Sequence, residues 1–137
     1  ILFKKECIII LNPDGKVFLI WNTRDITAEI NIEQSKIFKK YCPDFVGFSG
    51  GIKENDERIC AFFDNEYVCV EFDNPLLYDR EKFIQRSLSG SYSLNEKDKN
   101  YNEYLLCLND LFDRYSIDGV ITIPNKTVAY FGTVARA

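Results

Sequence analysis

Histidine does not occur in these 137 residues, and its absence removes a large part of enzymology. Without an imidazole, a Ser-His-Asp or Cys-His nucleophilic site cannot be built in its usual form. The HExxH metal site and the histidine-bearing zinc deaminase centre are excluded as well. Phosphate cradles are also missing, because neither GxxxxGKS/T nor GxGxxG occurs. Ser49-Gly50-Gly51-Ile52-Lys53 comes nearest, but it matches neither pattern and follows no clear strand. It reads as a tight connection, and so does Ser89-Gly90-Ser91.

Long apolar runs are absent too. Nothing approaches the roughly 18 residues that span a bilayer. Residues 1–11 are interrupted by Lys4, Lys5 and Glu6 and do not have the form of a signal peptide. The five cysteines, Cys7, Cys42, Cys60, Cys69 and Cys107, contain no CxxC pair. Most lie in strongly apolar stretches, where a thiol behaves as a small hydrophobe. Reduced thiols in a cytoplasmic protein are therefore expected, rather than a disulfide framework or an all-thiolate zinc site. Basic charge is in deficit, with 17 Lys and Arg against 21 Asp and Glu. A net charge of −4 argues against nucleic acid and leaves room for a basic protein partner.

What the chain does have is a strong amphipathic pattern. In 101–115, large apolar residues fall at 101, 104, 105, 108, 111, 112 and 115, one face of a 3.6-residue helix. The pattern predicts a long helix there, with a shorter one over 31–42 started by Asn31 and Gln34 as a capping box. A third is expected from Asn74-Pro75 to about Leu88.

Three hairpins are expected beside these helices. The first joins 7–11 to 17–21 through Asn12-Pro13-Asp14-Gly15, read as a type I turn with a G1 bulge. Both of its faces are apolar, so both should be covered. The second joins 59–63 to 67–72, and the third joins 120–123 to 127–131. The fold expected is one α+β domain spanning 1–137. It comprises a mostly antiparallel sheet of about six strands from three hairpins, with two or three helices packed on it.

Carboxylates are the chemistry that survives. Glu54, Asp56, Glu57, Asp64, Glu66, Glu71 and Asp73 fall in a stretch whose only basic residue is Arg58. An acidic patch of this kind speeds encounter with a basic partner, and Tyr67 and Phe48 are nearby aromatic anchors. The expected partner-binding residues are Glu54, Asp56, Glu57, Asp64, Glu66, Tyr67 and Asp73.

The function expected on this basis is a small protein-binding module, of the immunity or inhibitor type, that docks on a basic toxin or nuclease. No catalytic residue, cofactor or metal is assigned. One alternative is a carboxylate-dependent, Mg²⁺-assisted hydrolase or nuclease, with Asp110 and Asp113 among its candidates. The other is an accessory subunit of a larger complex, which would expose an unusually large apolar patch, most of all around the first hairpin.

Overall fold

The computed structural model describes residues 2–53 and 55–134. It is a mixed α+β chain, with five helices and five strands in two small sheets among the described residues. The chain divides into two compact units, 1–23 with 52–72 and 127–137, and 24–51 with 73–126.

The first unit opens with α1 (Leu2–Ile10), followed by β1 (Lys16–Arg24). A strand was expected at 7–11, and the structure corrects this to a helix. The run of β-branched residues misleads because each costs a helix only a few tenths of a kcal/mol, less than tertiary contacts return. Here Phe3 stacks on Phe62 at 5.7 Å, and Lys4 Nζ donates to Asp64 Oδ1 at 2.8 Å and to the Ala61 carbonyl at 3.0 Å. The Asn12–Gly15 turn does form, closed by Gly15 N–H donating to the Asn12 carbonyl at 2.9 Å. It joins a helix to a strand, and Gly15 is not left-handed, so there is no G1 bulge. Glycine is needed for closeness instead, since a Cβ would stand 3.0 Å from Asn12 O and from Leu11 Cβ.

Residues 59–62 also prove helical, with Phe63 as the C-cap. Helix α3 (Glu57–Phe62) is capped by Asp56, whose carboxylate accepts from the Arg58 amide, a stop-and-start signal that overrides the strand-like composition. Asp64 and Asn65 then take positive φ and turn the chain towards β2 (Val68–Asp73). The three-stranded sheet has the order β1-β5-β2, with β5 (Asn125–Thr133) in the middle. Ile59, Phe63, Val128 and Tyr130 form its core, with Trp21 stacked on Tyr130 at 5.2 Å.

Both faces of the β1 segment were expected to be covered. Within this unit only one is. Val17, Leu19 and Trp21 turn inward, while Phe18 and Ile20 remain 57% and 61% exposed. Leu2, Phe3, Ile9 and Ile10 of α1 and Val68 and Phe72 of β2 are exposed as well.

The second unit is organised by α5 (Tyr101–Tyr115), whose bounds and buried stripe match the periodicity. Tyr104, Leu108, Leu111 and Phe112 are buried against α2 (Glu29–Tyr41), α4 (Arg80–Leu88) and β4 (Ile121–Ile123). The expected 31–42 helix exists, but Asn31 is not its cap. It lies in the first turn, fully buried, and its Nδ2 donates to the carbonyls of Asp25 at 2.8 Å and Pro124 at 2.7 Å.

The expected 75–88 helix begins late, at Arg80, with Asp79 as cap accepting from the Lys82 amide. The preceding residues form β3 (Leu76–Tyr78). It pairs antiparallel with β4, with Leu77 opposite Thr122. The third hairpin therefore dissolves: its two strands exist, but they belong to different sheets. Two sheets of three and two strands replace the expected six-stranded one, because two of the six predicted strands are helices.

Candidate functional site

The acidic residues do not assemble into one feature. Glu54 lies outside the described residues. Asp56 is spent locally: besides capping α3, its two oxygens accept from Arg58 Nε and Nη2, each at 2.8 Å. The arginine fork is the main reason its carboxyl stays far below the usual carboxylate range. Asp64 is ion-paired with Lys4 at 2.8 Å. Glu57 and Glu66 are exposed in the same unit. Tyr67 is half-buried, with its hydroxyl 3.5 Å from Cys60 Sγ. Asp73 belongs to the other unit.

On α5, Asp110 pairs with Arg114 at 2.9 Å and Asp113 pairs with Arg80. These are ion pairs on a solvated helix face. Among the described residues, no three His, Cys, Asp or Glu side chains come together as a group able to hold a metal.

The second unit holds a more specific arrangement, built around a cluster of rings. Phe38, 2% exposed on α2, lies 5.2 Å from the Phe45 ring, 5.3 Å from Tyr92 and 6.0 Å from Phe48. Tyr92 in turn meets Phe45 edge-on at 4.9 Å. The backbone holds these rings in place at two special points. At 48–51 the chain reverses through Ser49, Gly50 and Gly51, all at positive φ, which sets Phe48. At Gly90 the chain passes so close under Tyr92 that a Cβ would stand 2.7 Å from the ring.

Below the rings lies a buried polar layer. Gln34 Nε2 donates to Ser87 Oγ at 3.1 Å, and Ser87 Oγ donates to the Phe83 carbonyl at 2.9 Å. The Tyr104 hydroxyl is 3.0 Å from Ser93 Oγ, and burial pushes this phenol well above its ordinary pKa.

Arg24, the last residue of β1, reaches this cluster. Its guanidinium carbon stands 5.5 Å from the Phe48 ring centroid, within cation–π range. Its Nη1 is buried and has no hydrogen-bond partner among the described residues. Burial is the main influence lowering its pKa, followed by Tyr78, which raises it, Arg86, which lowers it further, and Tyr92, which raises it. Arg86 is itself exposed, with Nη1 donating to Ser89 Oγ at 3.2 Å. Desolvating a cation is costly, and the largest influences on Arg24 after burial are two tyrosines and a second arginine.

This site was not read from the sequence. Arg24, Phe38, Phe45, Phe48 and Tyr92 share no local motif. The available signal was a single arginine closing a strongly apolar run, together with a Ser-Gly-Ser turn two residues before a tyrosine.

Comparison with known proteins adds one relation. No family model matches the chain. An uncharacterised methyltransferase-like protein of Schizosaccharomyces pombe is 32% identical over 103 residues, covering 69% of this chain. The chain spans 37% of the length of that relative.

Proposed function

We propose that this chain is the acceptor-side portion of a methyltransferase-like protein, with the methyl donor held elsewhere. The observation that carries this reading is the 32% identity to a methyltransferase-like protein nearly three times as long as the matched part. Two features of the fold support it. The first is the uncovered apolar surface of α1, β1 and β2, of a kind that further polypeptide normally covers.

The second is the position of the glycines. Nucleotide-type cofactors are cradled by a glycine-rich turn leading from a strand into a helix. The strand-to-helix connections here, Asp25–Ala28 after β1 and Asp79 after β3, contain no glycine. The seven glycines stand before β1, between α2 and α3, after α4, before β4 and within β5. The described residues therefore do not fit a donor such as S-adenosylmethionine. The ring cluster around Arg24 is instead a place for an acceptor.

An acidic inhibitor-type module has less support, because Asp56 and Asp64 are already paired within the chain. Photolabelling the complete gene product with S-adenosylmethionine carrying a labelled methyl group tests the proposal. Label is expected on peptides outside these 137 residues. Label within them, or none at all, overturns it.

A further inference from the structure

We draw no further inference here: the strongest candidate, the exposed apolar surface of the three-stranded sheet at Phe18 and Ile20 of β1 and Val68 and Phe72 of β2, carries nothing because nothing in the structure shows what covers it.

Discussion

Truncating Phe38 to alanine should cost this protein a large share of its stability and loosen the ring cluster at Arg24 together with the core. The ring is 2% exposed and lies among Phe45, Tyr92, Phe48 and Tyr104 at centroid distances of 5.2 to 6.3 Å. A phenylalanine of this kind buries about 150–250 Å², worth roughly 4–6 kcal/mol at about 25 cal/mol per Å², of which alanine keeps about 0.8 kcal/mol for its own methyl group. Measured Phe→Ala losses fall in the same range, about 3–5 kcal/mol, once the residual cavity is included. A domain of this size has only about 5–15 kcal/mol in total, so the variant should be barely folded at 37 °C.

Urea unfolding followed by circular dichroism measures the loss, and Phe38→Leu serves as a control expected to lose about 1 kcal/mol. Phe48 and Tyr92 both lean on this ring, so their NMR resonances should broaden in Phe38→Leu before stability collapses. A loss below about 1 kcal/mol in Phe38→Ala, with an unchanged denaturant slope, would refute the claim that this ring organises the second unit.

Other perturbations follow from the same geometry. Gly90→Ala should lower stability by about 1–3 kcal/mol, because its Cβ would stand 2.7 Å from a packed tyrosine ring; thermal unfolding measures the loss, and a shifted Tyr92 resonance identifies the cause. Asn31→Ala removes one of two donors from each of the Asp25 and Pro124 carbonyls, which keep the backbone amides of Ala28 and Asp25, and should cost about 1–3 kcal/mol in chemical unfolding; an effect under a few tenths would mean that these two bonds do not hold the segments together. The hydrogen bond to Glu33 is the main cause that raises the Tyr115 phenol to about 12. Because the folded-state pKa lies above the ordinary value of 10, the stabilisation is complete below pH 10 and is lost as pH rises towards 12. The advantage of wild type over Tyr115→Phe in unfolding experiments should therefore shrink between pH 9.5 and 11.5, and a constant difference would contradict the assignment.

The long helix was legible because its stripe is complete and its neighbours lie close along the chain. The strands at 17–21, 67–72, 120–123 and 127–131 were legible as well, but their pairing was not. Short turn signals such as Asn12–Gly15 and Pro124–Lys126 show only that the chain bends, and two of the three predicted hairpins turned out to have a helix on one side. Composition misled at Cys7–Leu11 and Ile59–Phe63, where contacts of Phe3 with Phe62 and the Asp56 cap outweighed β-branched propensity.

The ring cluster at Arg24 left only a faint trace in the sequence. Arg24 and the rings of Phe38, Phe45, Phe48 and Tyr92 are drawn from positions 24 to 92 and meet only in the folded chain. Asn31 shows the same limit at a smaller scale, since its residue type suits a cap and its place in the fold makes it a buried clamp.

The most direct test of the central claim is methyl transfer by the complete gene product, using S-adenosylmethionine with a labelled methyl group and the small-molecule fraction of a cell extract as acceptor. The account predicts a labelled small-molecule product, and it predicts that Arg24→Met weakens this transfer while donor affinity stays unchanged. No labelled product, or a donor affinity that falls together with transfer in Arg24→Met, would contradict it.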